Sequence, residues 1–281
     1  HQRCELGITF LVEGREFSYD LHYDAQKEEF LYEKFSEIQK DQYGNEKEIL
    51  WLEKDTVNQR YSCIDQDVLL MIPLMSSNNL LCYVIDASKF EHLEKMKKII
   101  VEFAQKIDIL NMNNIPMKKT IELMKNQGDL QKKVVEFIKN ADLYMDNFEY
   151  VDMDQIKIDD RTENEKPDEE VLNMREKLME QIRLVSTYKG VKVPSLIFDS
   201  TGTKKIAALA SYIIEGLENG RILIVDELDS SIHFKITRAI VAMFNNELNT
   251  NAQMIFTVHD INLMTMRLNN IYAVGDYFFI D

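Results

Sequence analysis

Cysteine is scarce in this sequence, and long hydrophobic runs are missing. The three cysteines, Cys4, Cys63 and Cys82, are far apart and odd in number. No CxxC pair or histidine-rich partner accompanies them, which argues against a zinc site or a disulfide framework and makes a reducing, cytoplasmic setting the expectation. No apolar stretch approaches the roughly 18 residues of a membrane helix, so no membrane is expected, and no signal-peptide pattern is seen. Positive charge is short as well: 33 Lys and Arg stand against 48 Asp and Glu, a formal net charge of −15. That balance speaks against a chain that coats nucleic acid through bulk electrostatics, while a local basic groove stays open. Residues 145–180 hold 13 acidic and 5 basic side chains, about half of the excess. No internal repeat is visible, nor a heptad array long enough for a coiled-coil arm.

What is present is the make-up of a folded protein: 45% hydrophobic and 10% aromatic residues over 281 positions, enough for one large domain or a head with a smaller lobe. Residues 7–23 alternate apolar and polar in two runs around Glu13-Gly14, a β-hairpin pattern. Strand-like pieces follow at 29–35 and 49–52, with a turn at Tyr43-Gly44-Asn45. Apolar side chains then recur at helical spacing over 92–107, 117–124 and 130–143. Residues 149–158 alternate again, and 159–170 form a charge-rich loop. A second hairpin is read over 180–187 and 191–198, turning at Lys189-Gly190. From there helix and apolar strand alternate: helix 204–218 with a C-cap at Asn219-Gly220, strand 221–225, helix 232–248, strand 253–258 and helix 260–267. Such alternation implies a parallel sheet with helices on its faces.

The chemistry collects in this last third. Four apolar β-formers, Ile222 to Val225, run into Asp226-Glu227. Ligand sites gather at the carboxyl ends of parallel strands. An Asp there can hold Mg²⁺, and a following Glu can polarise a water for attack on a γ-phosphate. Alone, the pattern fits equally a strand that ends in a solvated acidic turn. Leu228-Asp229-Ser230-Ser231-Ile232-His233 follows directly. About 30 residues on, a second apolar strand ends in His259-Asp260, within reach of the same phosphate or merely capping a helix. Upstream, Asp199-Ser200-Thr201-Gly202-Thr203-Lys204-Lys205 opens a helix, with Ser200 as N-cap and its N–H groups as an anion site, or as an ordinary capped helix.

Taken in order, DSTGTKK, NGRILIVDELDSSIH and AQMIFTVHDINLM resemble the motifs of ABC-type ATPase heads of the SMC and RecF group. They are most similar to bacterial AAA-family ATPases related to OLD-type and other phage-defence proteins. The clear match covers residues 198–264. The resemblance implies an α/β fold, an ABC-type P-loop NTPase head with an antiparallel β region and a helical lobe. Residues 1–90 would be the antiparallel β part, 91–180 the helical lobe with the acidic loop, and 181–281 the remaining motif-bearing part of the head. It further implies ATP and Mg²⁺ as cofactors. Asp226 is then the metal-organising aspartate, Glu227 the catalytic base and His259 the switch histidine. Ser200 and Gly202 belong to a signature motif that meets ATP bound on the opposite subunit. Lys204 is placed with them among the ATP-binding residues, and Asp229, Ser230 and Ser231 form the D-loop.

Two substitutions depart from the pattern: Asp199 where the family often has Glu, and Phe234 where a Pro usually follows the D-loop His. A larger departure is that none of the nine glycines opens Gly-x-x-x-x-Gly-Lys-Ser/Thr, the Walker A loop that cradles phosphates. The start at His1 rather than Met makes further sequence carrying that loop the expectation. The implied function is an ATP-hydrolysing switch. It dimerises head to tail, or assembles further, through its ATP sites and controls a partner effector, a nuclease or toxin, in anti-phage defence. The alternatives are a RecF- or SMC-like DNA-repair ATPase, and a non-catalytic head acting as scaffold or sensor. Nucleic acid as a partner is not supported by the net charge.

Overall fold

The computed structural model describes residues 3–126, 128–142, 144–152, 182–259, 267–268 and 271–272. The chain divides into two compact units, His1–Lys106 and Ile107–Asp281.

The first unit is built on an antiparallel meander of five strands in sequence order: β1 (Arg3–Val12), β2 (Arg15–Asp24), β3 (Glu29–Lys40), β4 (Glu46–Asp55) and β5 (Arg60–Cys63). The β1–β2 hairpin turns at Glu13 and Gly14, both at positive φ (51° and 75°). That is the backbone of the tight turn whose twist matches flanking strands. Alternate residues put Phe10, Phe17, Phe35 and Trp51 on one face, the period-2 rule for a half-buried sheet. Helix α1 (Gln66–Met71), a short α2 (Leu81–Val84) and the amphipathic α3 (Glu91–Gln105) complete this unit. Phe103 of α3 stacks on Phe10 at 4.1 Å.

Buried beneath these helices lies an ionisable cluster. Glu33 accepts hydrogen bonds from the Tyr19 hydroxyl at 2.8 Å and the Leu81 backbone N–H at 3.0 Å. Lys54, its cross-strand partner, is buried too. Burial pushes the Glu33 carboxyl up and the Lys54 amine down, each opposed by the charge of the other.

The second unit begins with β6 (Ile107–Asn111), followed by α4 (Lys118–Lys125), α5 (Asp129–Ala141), β7 (Asn147–Tyr150), β8 (Leu184–Tyr188), β9 (Val191–Pro194) and α6 (Ser195–Phe198). Then come α7 (Thr201–Asn219), β10 (Ile222–Asp226), α8 (Phe234–Phe244), β11 (Gln253–Phe256) and the two-residue strands β12 (Arg267–Leu268) and β13 (Ile271–Tyr272). β10 is the central strand of a parallel sheet in the order β11-β10-β6. Strands β7, β8 and β9 form a separate antiparallel sheet.

Helix α7 is the hub of this unit. Eleven of its residues are buried, as expected of a helix that is apolar on most of its circumference. Leu209 and Ile213 share a core with Leu223 and Val225 of β10. Ala207, Ala210 and Ile214 pack into a second core with Val134 and Ile138 of α5 and Phe148 of β7. The α7 helix starts at Ser200, whose side chain accepts from the Thr203 N–H, and ends at Gly220 in the left-handed conformation (φ 62°).

Several sequence readings need correction. The helix read over 92–107 stops at Gln105, and Ile107 opens the unforeseen strand β6. Ile99, Ile100, Phe103 and Ile107 fit a helical stripe, which masked the boundary. Residues 195–198, read as strand, form the helical turn α6. The helix read over 232–248 is limited to Phe234–Phe244. Its end is set by Asn249, whose side-chain amide donates to the carbonyls of Phe244 and Ala252. The charged loop 159–170, most of the strand read over 149–158, and the helix read over 260–267 except for Arg267 lie outside the described residues.

Candidate functional site

The parallel sheet aims the carboxyl ends of β6, β10 and β11 at one edge. Asp226, the last residue of β10, is held from both sides. Its Oδ1 accepts the Thr257 hydroxyl at 2.7 Å, and its Oδ2 accepts the Asn111 side-chain amide at 2.9 Å. Thr257 also accepts the Glu227 N–H at 2.8 Å through the same hydroxyl oxygen. One threonine thus fixes the aspartate carboxylate and the backbone of the next residue.

Glu227 sits at φ 55°, and Ser231, four residues on, at φ 64°. Non-glycine residues in this left-handed region are uncommon and cluster at functional sites. The Glu227 carboxylate takes a hydrogen bond from the Asn113 amide at 2.6 Å and lies 3.6 Å from Nε2 of His259. His259 is largely exposed, and its backbone N–H donates to Asp229 Oδ2 at 3.0 Å. Asn113 also accepts from the Ser230 hydroxyl at 3.1 Å. The structure therefore brings Asp226, Glu227, Asp229, Ser230 and His259 together around the ends of β10 and β11.

The start of α7 approaches the turn at 229–231. A Cβ placed on Gly202 would stand 2.9 Å from the backbone oxygen of Ser231, so only glycine fits there. Lys205 donates to the carbonyl and hydroxyl oxygens of Ser230 at 3.2 and 3.3 Å. Lys204 turns instead to the carbonyl of Ile197 at 3.5 Å. Behind Ser200, the buried Asp199 accepts from Ser186 (2.5 Å), Ser195 (2.6 Å) and Tyr188 (3.0 Å). Burial together with Asp199 pushes the Tyr188 phenol up. These bonds pin the β8–β9 hairpin and α6 to the helix start. Beside it, a cavity of about 960 Å³ opens between α5, α7 and α8, with Ser200, Gly202 and Ser231 among its lining residues.

Sequence reasoning missed Asn111, Asn113 and Thr257. The signal for the first two was a short strand-like stretch, Ile107-Asp108-Ile109-Leu110, that empties into an asparagine-rich turn. Thr257 was read only as part of a strand.

Residues 89–265 match the protein family described as "AAA domain, putative AbiEii toxin, Type IV TA system", more than half of the chain. The chain belongs to this AAA domain family. No curated protein matches it. Among solved structures it is similar to the "SMC head domain from Thermotoga maritima", at 11% sequence identity and a TM-score of 0.35, over 90% of this chain and 67% of that one. Family and mixed α/β architecture together give a P-loop NTPase fold with an antiparallel sheet, of the AAA ATPase kind.

An AAA-type ATPase implies ATP and Mg²⁺, and the residues at the strand edge fit the metal ion. Among the described residues no group of three or more His, Cys, Asp or Glu side chains could hold a metal. The strand edge offers one carboxylate, Asp226, among neutral hydroxyl and amide groups. That suits Mg²⁺, which keeps several waters and is held by one or two carboxylates plus substrate phosphates. No helix of the described residues is long and apolar enough to cross a membrane.

Proposed function

We propose that this AAA domain is an ATP-hydrolysing switch head of the ABC type, similar to the OLD-related ATPases of phage defence. The observation that carries the reading is the convergence of Asp226, Glu227 and His259 at the carboxyl ends of two adjacent parallel strands, with Glu227 and His259 3.6 Å apart. Asp226 would hold Mg²⁺, which would neutralise charge building on the phosphates. Glu227, kept in place by Asn113, polarises the attacking water. His259 meets the γ-phosphate. These groups act by position and electrostatics, which is how phosphoryl transfer is catalysed in general.

Ser200 and Gly202, at the N-terminus of a 19-residue helix, suit an anion arriving from outside the chain. In a head-to-tail pair each copy presents them, with Lys204 nearby, to ATP held by the other. Asp229, Ser230 and Ser231 lie beside them at the same face. The reading requires a phosphate-cradling loop, and no glycine among these 281 residues opens one. Closure and release drive a partner effector. The family description attaches the words putative toxin to the AAA domain itself, and a toxic outcome of the switch is in keeping with it.

The test is Mg²⁺-dependent ATP binding and turnover by the full-length protein beside its Glu227→Gln variant. The variant is expected to bind ATP, to accumulate as a closed dimer and to lose turnover by roughly 10²–10⁴-fold, the range for a positioned general base. Equal turnover in variant and parent refutes the role of Glu227. Absence of ATP binding by the folded protein leaves the scaffold reading in its place. Ser200→Arg is expected to bind ATP normally and fail to dimerise.

A further inference from the structure

The hydroxyl of Ser200 is not free in this structure, and the bonds around it fix which way its proton points. Three oxygens stand in a row. Thr203 Oγ1 lies 3.0 Å from Oδ2 of Asp142 and 2.9 Å from Oγ of Ser200. Thr203 is buried, so its hydroxyl has to be satisfied inside the protein. A carboxylate only accepts, and a hydroxyl has a single proton to give. Thr203 therefore donates to Asp142, and the Ser200 hydroxyl donates to Thr203. On its other side Ser200 Oγ accepts the Thr203 backbone N–H at 3.1 Å. Asp142 is itself anchored at the end of α5, where its Oδ1 accepts the Tyr144 N–H at 3.2 Å.

We infer that Asp142 is a positioning residue that, through Thr203, holds the Ser200 proton inward and so restrains closure on ATP. The inference rests on the function proposed above, in which Ser200 donates to a phosphate carried by a second copy. To make that bond, Ser200 breaks its bond to Thr203 and leaves the buried Thr203 oxygen with one fewer donor. The α5 end of the helical lobe thus sets how readily the start of α7 engages nucleotide. Any shift that draws Asp142 away lets Thr203 turn its proton to Ser200, and the Ser200 proton becomes available to phosphate.

The experiment measures the apparent dissociation constant of ATP-driven dimerisation by sedimentation. It uses the full-length Glu227→Gln protein, so that hydrolysis does not intervene. Thr203→Val keeps the shape of the side chain and the backbone N–H cap while removing the hydroxyl. It is expected to tighten dimerisation by about 3- to 10-fold, the worth of one hydrogen bond regained. Asp142→Ala acts in the same direction, the double variant adds nothing further, and Thr203→Ser stays near the parental value. In a Ser200→Ala background Thr203→Val brings no tightening. A purely structural role predicts the opposite sign, because loosening the helix start weakens closure. Thermal melts confirm that each variant is folded. If the parental protein dimerises on ATP and Thr203→Val leaves the constant unchanged or raises it, the positioning role of Asp142 is overturned and the function proposed stands. If the parental protein does not dimerise on ATP at all, both fall.

Discussion

At Gly202 the structure leaves no room for one methyl group. A Cβ would meet the Ser231 oxygen at 2.9 Å, closer than packing allows, and the obstacle is backbone rather than a side chain that could swing away. Gly202→Ala is expected to cost about 1–3 kcal/mol in urea unfolding, as overpacking generally does, and to push the 229–231 turn from the helix start. Asn113 carries a second residue-scale expectation. Asn113→Ala leaves the Glu227 carboxylate and the Ser230 hydroxyl without a partner they have now. A hydrogen bond to a charged group contributes about 1.5–3 kcal/mol, so kcat is expected to fall about 10-fold or more with ATP affinity little changed. Single-turnover kinetics reads the two separately. The sequence exposed Ser200, Asp226 and Glu227 because each stands where a regular element begins or ends, and His259 because the strand is read through to 258, two residues past its observed end at Phe256. Asn113 and Thr257 have no such marker. Their importance is a matter of which strands lie side by side, and periodicity carries no information about that.

Among elements, the hairpins were the easiest to foresee. Glu13-Gly14 and Lys189-Gly190 place their turns, and both pairs adopt the positive φ that such turns require. Strand β6 was the hardest, since a five-residue strand that follows a helix without a break can be absorbed into the helical stripe. What marks it in three dimensions is Asp108, which accepts from Arg221 Nε at 2.6 Å and pairs with Lys119 at 3.2 Å. It ties β6 to the start of β10. In the first unit Glu33 makes a comparable polar tie, from β3 to β2 and to the start of α2. Glu33→Leu would leave Lys54 buried without its carboxylate, and the Tyr19 hydroxyl and Leu81 N–H without their acceptor. A buried donor left unsatisfied costs about 1–3 kcal/mol, so a loss of at least that size is expected in the unfolding of the first unit, with β-sheet circular dichroism as the probe.

For the whole molecule, acidity is the dominant solution property, and acid is the condition that should undo it. Burial by itself raises the Asp55 carboxyl, but Asn58 and Arg60 outweigh it and hold the group down at about 2. Burial likewise raises Asp108, and Arg221 and Lys119 bring it below the usual carboxylate range. A carboxylate depressed in the folded state contributes stability that is complete above its unfolded value, roughly 3.9, and that is lost as pH falls through the folded one. Both units are therefore expected to weaken between about pH 4 and pH 2, and Asp55→Asn should flatten that slope. Intrinsic fluorescence of Trp51 reports on the first unit.

The adjacency of β6 and β10 has a consequence for synthesis. Asn111 and Asp226 touch across a separation of 115 residues. At about 5–20 residues per second, the ribosome delivers the aspartate roughly 6–23 s after the asparagine. The meander of the first unit pairs each strand with the one just made and has no such wait. A nascent chain arrested near residue 150 would thus carry a finished front half behind which β6 still exposes the edge reserved for β10. During that interval the chain has most need of a chaperone, and the Asp226 carboxylate reaches its partner on β6 only after the intervening residues have been translated.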